Sequence, residues 1–231
     1  MSISIILPVY NEEGNIEKVV NSTLSCLNRI TKDFEIILIN DGSSDNTGTI
    51  IKTLSENNKN LKYIFHNQNL GYGASLRSGF NIANYPLIFF MDCDGQFDIS
   101  DINKLLKDIR SADIVIGKRK LRQDRIYRIM LTKVFNSLAN SIFCMKFNDI
   151  SCGFKLIKNS VLKSLEIKSQ SGIINLEILV KAARTGYIVK EVEINHFPRI
   201  RGKSKGTRAK NIIRKIKELI ILYFDLKKSK C

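Results

Sequence analysis

The sequence lacks the features of several common protein classes. It has only two histidines, His66 and His196, which are too far apart for a metal-ligand motif, and we interpret both as structural. Its five cysteines show no paired spacing and follow no secretory leader, so we expect a reducing, cytoplasmic setting and no disulfide scaffold. No apolar run approaches the roughly 20 residues that a membrane-spanning helix requires. The sequence therefore predicts neither a secreted nor a membrane-spanning protein.

Positive charge is in excess, but it is concentrated at one end of the chain. The 231 residues carry a net charge of +15, and +10 of it lies from Arg199 onward, where twelve basic residues accompany two acidic ones. A nucleic-acid-binding module is one interpretation of such a tail. The chain contains no recognised nucleic-acid motif, however, and that interpretation gives no role to the acidic residues described below. We therefore predict no nucleic-acid partner.

Hydrophobic periodicity predicts a single α/β domain. Hydrophobic residues make up 44% of the chain, enough for a sizeable core at this length. Strand-like and helix-like segments alternate through the first half, which indicates a mostly parallel, mixed sheet flanked by helices. The predicted strands are 3–9, 34–40, 61–66, 87–91, 114–117 and 188–194. The predicted helices are 15–30, 46–57, 73–83, about 125–143 and about 175–185, and a turn is predicted at 152–154.

Two aspartates directly follow a strand that is predicted to be buried. Asp92 and Asp94 come after strand 87–91 and before Gly95. Because alternate residues of an extended chain point to the same side, the two carboxylates can hold one divalent cation through oxygen ligands. A solvated Asp-Gly turn is the simpler interpretation of an isolated pair. The rest of the chain favours the metal site.

Polar residues also follow the first two strands. Residues 10–13 come after the first strand, and residues 40–45 come after the second. The carboxyl ends of strands in an open parallel sheet border one crevice, so these residues and the two aspartates are expected to converge. Each group alone could be a turn or a helix cap, but together they predict a nucleotide site.

Four motifs occur in the order and spacing of family 2 inverting glycosyltransferases, which have the GT-A fold. They are PVYNE at 8–12, NDGSSDNT at 40–47, NLGYGA at 69–74 and MDCDGQ at 91–96. Two later motifs, DISCGFK at 149–155 and RIRGKSK at 199–205, resemble the polyprenyl-phosphate sugar transferase branch, typified by dolichol-phosphate mannosyltransferase. We therefore expect a GT-A catalytic domain over residues 1–207, followed by a basic helix over 208–231.

The resemblance implies a metal-dependent inverting transfer of a sugar from a UDP- or GDP-sugar to a polyprenyl phosphate. Mg²⁺ or Mn²⁺ is the implied cofactor. Seven residues are implied to bind the donor: Pro8, Tyr10 and Glu12 beside the base and ribose, Asp41 on the base, and Asp92, Asp94 and Gln96 around the metal and the diphosphate. Six residues fall where the branch binds the acceptor phosphate: Arg119, Arg128, Thr132, Arg199, Ser204 and Lys205. Among them, Arg119 is expected to act with Asp94 in catalysis.

The sequence leaves open whether the acceptor group is a phosphate or a hydroxyl. A phosphate acceptor is already ionised near neutral pH and mainly needs cations to position it. A saccharide hydroxyl, as in cell-surface polysaccharide assembly, would need a base, and Glu177 is the candidate for that role. Glu177 could instead position the acceptor or be an ordinary charged helix residue. A catalytically silent lipid-binding subunit is a further alternative, but the intact Asp92 and Asp94 argue against it.

The C-terminal segment provides an expected membrane contact. Apolar residues recur at helical spacing from Ile212 to Phe224, with Lys215 and Lys217 among the basic residues between them. This pattern is typical of an amphipathic basic helix. Such a helix can pack on the domain core or dock on anionic headgroups, and the basic loop beside it favours docking. Since the chain ends at Cys231 without a spanning helix, we expect a peripheral position at the inner face of the cytoplasmic membrane.

Overall fold

The computed structural model describes residues 1–124, 126–199, 201 and 209–228. Strands and helices alternate through the first half, as predicted. The strands are β1 (Ser2–Val9), β2 (Asp33–Asn40), β3 (Leu61–Phe65), β4 (Leu87–Met91), β5 (Ile114–Arg119), β6 (Phe154–Lys158) and β7 (Val189–Ile194). The α-helices are α1 (Ile16–Ile30), α2 (Thr47–Glu56), α3 (Tyr72–Ile82), α4 (Ile102–Asp108), α5 (Ile126–Phe143), α6 (Asn159–Ser164), α7 (Ile174–Arg184) and α8 (Ala209–Lys228).

The strands form one mixed sheet in the order β3-β2-β1-β4-β6-β5-β7. Parallel pairing joins β1 to β2 and β4, β2 to β3, and β5 to β7. β6 runs antiparallel to both of its neighbours, β4 and β5. The prediction of an α/β fold with a mostly parallel mixed sheet is confirmed. This order brings the carboxyl ends of β1, β2 and β4 side by side.

Both faces of the sheet are covered, and alternate residues of β1 show how. Ile5 is fully buried in the core that includes Val20 of α1. Ile6 is equally buried on the other face, in a second core that includes Leu76 of α3 and Leu179 of α7. Burial of each such side chain stabilises the fold by roughly 1.5–3 kcal/mol. The strands read as continuous apolar runs because neither face meets water.

Three elements were not predicted from the sequence, and one of them, β6, lies beside the candidate active site described below. Helices α4 and α6 are short, and β6 (Phe154–Lys158) begins where the predicted turn 152–154 should still continue. The turn prediction is wrong at its last residue, since Phe154 pairs with Met91 of β4. The second residue of β6 is Lys155, which is fully buried although its residue type is usually exposed. Its charge interrupts the hydrophobic pattern from which strands are predicted.

Helix α8 packs on the domain with one face and leaves the other exposed. Leu222 and Leu226 are buried in the second core, and Arg184 donates a hydrogen bond to the carbonyl oxygen of Leu226. Ile216 and Ile220 on the opposite side stay about half exposed, at 52% and 51%. Among the described helices, none is both long enough and apolar enough to cross a membrane.

Candidate active site

The loops that follow β1 and β2 are joined by hydrogen bonds. The amide of Asn11 donates to Ser43 Oγ at 2.9 Å, and the amide of Glu12 donates to Thr47 Oγ1 at 2.9 Å. In return, the amide of Ser44 donates to Asn11 Oδ1 at 2.7 Å. Asn11 has a left-handed backbone conformation, with φ of 53°, which asparagine tolerates better than most residues. These two strand ends therefore form one continuous rim.

Arg199 connects this rim to the acidic residues after β4. Its guanidinium pairs with Glu12 Oε1 through Nη2, and its Nη1 lies 3.5 Å from Asp94 Oδ2. Asn15 Nδ2 holds the other oxygen of Glu12 at 2.7 Å. Burial raises the pKa of Glu12, although Asn15 and Arg199 oppose that shift. The convergence of the three polar strand ends is thus present in the structure.

Asp92 and Asp94 form a pair of carboxylates that is costly to ionise without a cation. Burial raises the pKa of Asp92, and the charge of Asp94 raises it further. Burial also raises the pKa of Asp94, against the opposing charge of Arg199. Two close, buried carboxylates repel each other when ionised, and a bound divalent cation would remove that repulsion. The oxygen donors present therefore fit Mg²⁺ or Mn²⁺.

Gln96 has the third predicted side chain of this set. Its amide nitrogen donates to Phe197 O at 3.1 Å, while its backbone N–H donates to Asp94 Oδ1 at 3.1 Å. Within the described part of the chain, no cluster of three histidine, cysteine, aspartate or glutamate side chains could hold a metal ion. A cation at Asp92 and Asp94 would therefore need amide, water or substrate oxygens as well, as Mg²⁺ sites commonly have.

A layer of residues that the sequence interpretation did not assign lies behind Asp92. The amide of Asp92 donates to Gly153 O at 3.1 Å, and a Cβ on Gly153 would lie 2.6 Å from Asp92 Cγ. Lys155 Nζ donates to Ile150 O at 3.1 Å and to Cys152 O. Burial lowers the pKa of Lys155 to about 8. This layer exists because β6 runs beside β4, which the sequence did not reveal.

Two buried polar atoms near Asp92 have no hydrogen-bond partner among the described residues. They are the hydroxyl of Tyr72 and Oδ1 of Asn175. Burial, followed by the charge of Asp92, raises the pKa of Tyr72 well above its usual value. The Tyr72 hydroxyl nevertheless interacts with the side chains of Asp92 and Asn175, so these three residues form one buried polar cluster. Tyr72 belongs to the NLGYGA motif, but nothing in the sequence pointed to Asn175.

Pro8 and Tyr10 lie where β1 passes into the rim. Pro8 pairs in register with Ile39 of β2, one residue before β1 ends at Val9. Both Pro8 and Tyr10 are partly buried. They thus border the same crevice as Glu12, and their contact with a base and ribose stays a prediction.

Asp41 holds the loop that contains the glycine motif. Its Oδ1 accepts from the amide of Leu70 and its Oδ2 from the amide of Gly71, each at 2.9 Å. A Cβ on Gly71 would lie 2.7 Å from Gln170 O, and φ of 106° is a conformation that favours glycine. Because Oδ1 of Asp41 also lies 2.8 Å from His66 Nδ1, a second lone pair is left on Oδ2. Its predicted hydrogen bond to a nucleotide base therefore stays a prediction.

Both histidines have structural contacts. His66 lies between Asp41 Oδ1 at 2.8 Å and Ser78 Oγ at 2.9 Å. His196 Nδ1 accepts from the amide of Gln123 at 3.3 Å. Burial and then the charge of Arg119 lower the pKa of His196 to about 4, so it is neutral at pH 7. These contacts agree with the structural interpretation of both residues.

A cluster of arginines and aspartates forms the other side of the crevice. Arg119 makes a bidentate pair with Asp149, with Nε–Oδ2 and Nη2–Oδ1 distances of 2.7 Å. Asp124 pairs with Arg122 and Arg128, each at 2.7 Å. Burial opposes ionisation of Asp149, but Arg119 outweighs it and lowers the pKa of that carboxyl. The sequence pointed to Arg119 and Arg128, but not to Asp124 or Arg122 as their neighbours.

The predicted acceptor residues divide into two places. Thr132 Oγ1 donates to Arg128 O at 2.8 Å, so these two residues share one turn of α5. Arg199 lies apart from them, on the carboxylates of Glu12 and Asp94. Ser204 and Lys205 lie outside the described residues. The structure therefore groups Arg128 and Thr132 with Arg119 through Asp124, and groups Arg199 with Glu12 and Asp94.

Glu177 is occupied by structural hydrogen bonds. Its Oε1 accepts from the amide of Lys168 at 2.9 Å and from Lys181 Nζ at 2.7 Å, and its Oε2 accepts from the amide of Ser169 at 2.8 Å. Burial alone would raise the pKa of Glu177, but these donors lower it below the usual value. A carboxylate with a low pKa and three donors is a weak base. The contacts favour a structural role over proton abstraction.

Comparison with protein families identifies one that matches most of the chain. Residues 4–166 match the model described as "Glycosyl transferase family 2". Among curated proteins, the chain is 28% identical over 227 residues to undecaprenyl-phosphate 4-deoxy-4-formamido-L-arabinose transferase of Photorhabdus laumondii, covering 97% of this chain and 66% of that protein. It is 31% identical over 212 residues to dolichyl-phosphate beta-glucosyltransferase ALG5D of Trichomonas vaginalis, covering 83% of this chain and 64% of that protein. The chain therefore spans just under two thirds of these relatives.

Solved structures share the fold at much lower sequence identity. Glucosyl-3-phosphoglycerate synthase from Mycobacterium tuberculosis, in complex with Mn²⁺, UDP and phosphoglyceric acid, superimposes with a TM-score of 0.74 at 16% identity. That match covers 96% of this chain and 78% of the synthase. The same synthase was also crystallised with Mg²⁺ and UDP, and that structure matches with a TM-score of 0.73. The predicted GT-A architecture is confirmed.

Proposed function

Because the chain belongs to glycosyltransferase family 2, we propose that it transfers a sugar from a nucleotide diphosphate to a polyprenyl phosphate. The names of the two curated relatives specify undecaprenyl phosphate and dolichyl phosphate as their acceptors. The proposal includes a UDP- or GDP-sugar as donor, inversion at the anomeric carbon, and a requirement for Mg²⁺ or Mn²⁺.

One observation supports this proposal above the others: a partly buried carboxylate pair interacts electrostatically with a partly buried arginine cluster. The positive charge of Arg119 lowers the pKa of Asp92, and that of Arg128 lowers the pKa of Asp94, against the larger effect of burial. The two groups are therefore within Coulombic range of each other. A sugar donor needs the carboxylates for its cation, and a phosphate acceptor needs the arginines.

The donor side holds the leaving group. Asp92, Asp94 and Gln96 would hold the divalent cation, which when bound acts as a Lewis acid and stabilises the charge on the departing diphosphate. Arg199, already beside Asp94, supplies a further positive charge to the diphosphate. The rim residues Pro8, Tyr10, Glu12 and Asp41 would border the nucleoside. Orientation by this rim brings the anomeric carbon toward the arginine cluster.

The acceptor side holds the nucleophile. A phosphate oxygen of the lipid attacks the anomeric carbon opposite the leaving group, so that a new carbon–oxygen bond forms while the bond to the diphosphate breaks. The bonding electron pair leaves with the nucleotide diphosphate. No proton has to be removed, because the phosphate is already ionised. Arg119, Arg128 and Thr132 would position this phosphate, and Ser204 and Lys205 of the basic loop would assist.

A phosphate acceptor also suits the state of Glu177 better than a hydroxyl does. A saccharide hydroxyl would have to lose a proton during attack, and Glu177 is the candidate base for that step. Both of its oxygens accept hydrogen bonds, and its pKa is lowered by Lys181 and by the amides of Lys168 and Ser169 despite its burial. Replacing Glu177 by Gln should therefore affect folding more than the chemical step.

Peripheral attachment to the inner face of the cytoplasmic membrane is part of the proposal. Ile126, Met130, Val134 and Leu138 recur every fourth residue along α5 and are 50% to 77% exposed. Helix α8 adds its own exposed apolar residues, and the Tyr223 ring lies 6.5 Å from that of Phe143 at the end of α5. Both helices therefore offer exposed apolar residues for contact with a bilayer, and those of α5 flank Arg128. A lipid phosphate in the crevice could keep its chain in the bilayer.

The experiment that tests the proposal is a transfer assay with purified protein. UDP- and GDP-sugars are offered with a short polyprenyl phosphate, in the presence of Mn²⁺, Mg²⁺ or a chelator. We expect a lipid-linked sugar that forms only with a divalent cation and only from one class of nucleotide. Asp94→Asn should reduce the rate by at least two orders of magnitude, because such electrostatic groups typically contribute about 10²–10³.

Asp33→Asn is the matched control for that variant. Asp33 is an exposed aspartate at the start of β2, at the opposite end of the strand from the site, so its loss should leave transfer unchanged. Donor binding without a lipid product would reject the phosphate acceptor. Absence of any binding of nucleotide sugars would reject the transferase proposal altogether.

A further inference from the structure

Helix α8 is attached to two loops beside the crevice by its second and third turns. Arg214 Nη2 donates to Leu70 O at 2.8 Å and to Gln170 Oε1 at 2.7 Å. Glu218 Oε2 accepts from the amide of Ser171 at 3.0 Å and from its hydroxyl at 2.7 Å. Leu70 belongs to the loop that Asp41 holds. The position of the helix is therefore set by contacts with the same loops that border the donor side.

Lys215 lies between these two anchors along α8, and its side chain packs against Gly172. A Cβ built on Gly172 would lie 3.3 Å from Lys215 Cε and 3.6 Å from Lys215 Nζ, so the ammonium lies over a glycine that leaves it room. Burial lowers the pKa of Lys215, and Arg128 lowers it further, while Asp92 opposes the shift. Lys215 is therefore close enough to interact electrostatically with both Arg128 of the proposed acceptor site and Asp92 of the proposed metal site.

No carboxylate pairs with this ammonium. Among the residues that the structure describes, Lys215 makes neither a hydrogen bond nor an ion pair, whereas its neighbour Arg214 makes three. A partly desolvated cation that makes no ion pair is well placed to bind an anion. Attachment of α8 does not need the charge, since Arg214, Glu218 and the buried Leu222 and Leu226 already provide it.

The arginine cluster is incompletely charged for a phosphate monoester. Its three arginines, Arg119, Arg122 and Arg128, are offset by Asp124 and Asp149, which leaves one net positive charge. A phosphate monoester carries about −1.5 to −2 charges near pH 7. A second, unpaired cation in range of Arg128 would bring the site close to neutrality. Lys215 is a cation in that position.

We propose that Lys215 of α8 binds the phosphate of the acceptor together with Arg128, so that the C-terminal helix contributes directly to the acceptor site. This inference rests on the proposed function. The inference extends the proposed function, because it assigns a phosphate contact to a helix that otherwise serves for membrane attachment. The same helix would then hold the lipid chain with its apolar face and the phosphate with Lys215, while Arg214 and Glu218 position the side chain.

A binding measurement on the full chain tests this inference without depending on turnover. A short, water-soluble polyprenyl phosphate is titrated into wild type, Lys215→Met, Lys215→Arg and Lys217→Met, with no membrane present. Methionine keeps most of the length of the side chain and removes its charge. We expect Kd for the lipid phosphate to rise at least tenfold in Lys215→Met, and the KM in the transfer assay to rise in parallel. Lys215→Arg should restore most of the affinity.

Lys217→Met is the control because Lys217 is exposed on the same helix and carries the same charge. It should bind the lipid phosphate like wild type, and thermal unfolding should show that all variants fold. Equal Kd values for Lys215→Met and Lys217→Met would overturn the inference. It would also be overturned if Lys215→Met lost affinity for the nucleotide sugar instead, since the phosphate it binds would then be the donor's.

The proposed function can fail separately from this inference. If wild type binds the lipid phosphate but forms no lipid-linked sugar, the transfer proposal is wrong, and the binding comparison still supports or overturns the role of Lys215. If wild type does not bind the lipid phosphate at all, the inference is overturned whatever its other activity.

Discussion

At the scale of single residues, Gly153 lies beside the proposed metal site and has no room for a side chain. A methyl group there would lie 2.6 Å from Asp92 Cγ, closer than real Cβ atoms approach their neighbours. In Gly153→Ala the Asp92 carboxylate must therefore move. Because changes next to a metal ligand typically cost about 10–100-fold in affinity, we expect the apparent Mn²⁺ affinity in the transfer assay to fall by roughly that factor.

Gly48→Ala is a suitable comparison for that substitution. Gly48 lies in the first turn of α2, where the nearest atom to a new Cβ would be the side-chain amide nitrogen of Asn40, at 3.1 Å. The alanine should leave the Mn²⁺ dependence unchanged. If Gly153→Ala showed the same Mn²⁺ titration curve as Gly48→Ala and wild type, Asp92 would not be a ligand.

Individual site residues differed in how well the sequence indicated them. Asp92 and Asp94 could be predicted because two acids directly after a buried strand are costly unless they bind a cation. Tyr72 and Asn175 could not, since Asn175 of α7 meets Tyr72 of α3 only in the folded protein. Asp124 could not be predicted either, because its role depends on its ion pairs with Arg122 and Arg128. Pairing of distant charges leaves no periodic signal in a sequence.

At the scale of elements, Glu35 connects four parts of the sheet region. Its carboxylate accepts from Ser4 of β1 at 2.6 Å, from Lys62 of β3 at 2.7 Å, and from the amide of Asn84 before β4 at 2.7 Å. Burial alone would raise the pKa of Glu35, but these donors outweigh it and hold the pKa below 4.5. A buried acid with a lowered pKa stabilises the fold when it is ionised.

Replacing Glu35 by Gln should therefore destabilise the protein in a pH-dependent way. The contribution of a lowered pKa is fully present above the unfolded-state value, near 4.5, and is lost as the pH falls through the folded-state value. We expect the free energy of unfolding to drop by roughly 1–3 kcal/mol at pH 7, the usual range for hydrogen bonds to a charged group. Denaturant unfolding should show a smaller difference at pH 3.

Glu17→Gln serves as the comparison, because Glu17 is an exposed acid in the first turn of α1. It should change the free energy of unfolding much less at pH 7. An equal loss of stability for Glu35→Gln at pH 7 and pH 3 would mean that the shape of the side chain matters and its charge does not.

Most elements could be predicted from hydrophobicity, and β6 shows where that signal fails. A parallel strand buried on both faces reads as an apolar run, so β1, β2 and β4 were recognised with errors of at most one residue. β6 carries Lys155 in its second position, and its charge is compensated by carbonyl oxygens of Ile150 and Cys152. Those carbonyls are brought there by the fold. A strand stabilised in this way cannot be inferred from hydrophobicity.

At the scale of the whole molecule, helices α5 and α8 combine exposed apolar residues with basic residues. Arg128 lies between the exposed Ile126 and Met130 of α5, and the basic excess of the sequence is concentrated from Arg199 onward. Exposed apolar residues that cluster on a protein surface often mark a contact with a partner or a membrane. A positive rim around an apolar surface is complementary to a bilayer that contains anionic lipids. If electrostatic attraction and apolar contact both hold the protein on the membrane, high salt should weaken the binding only in part.

Vesicle flotation tests both the electrostatic and the apolar contribution to this attachment. Wild type should float with vesicles rich in phosphatidylglycerol, less with neutral phosphatidylcholine, and less at high salt. A double variant, Met130→Gln with Val134→Gln, should bind roughly tenfold more weakly, since each buried apolar side chain contributes on the order of 1 kcal/mol or more. Tyr63→Gln with Ile188→Gln replaces two similarly exposed apolar residues on other parts of the chain and should float like wild type. If both double variants floated alike, the surface of α5 would not face the membrane, and the lipid would have to reach Arg128 by another path.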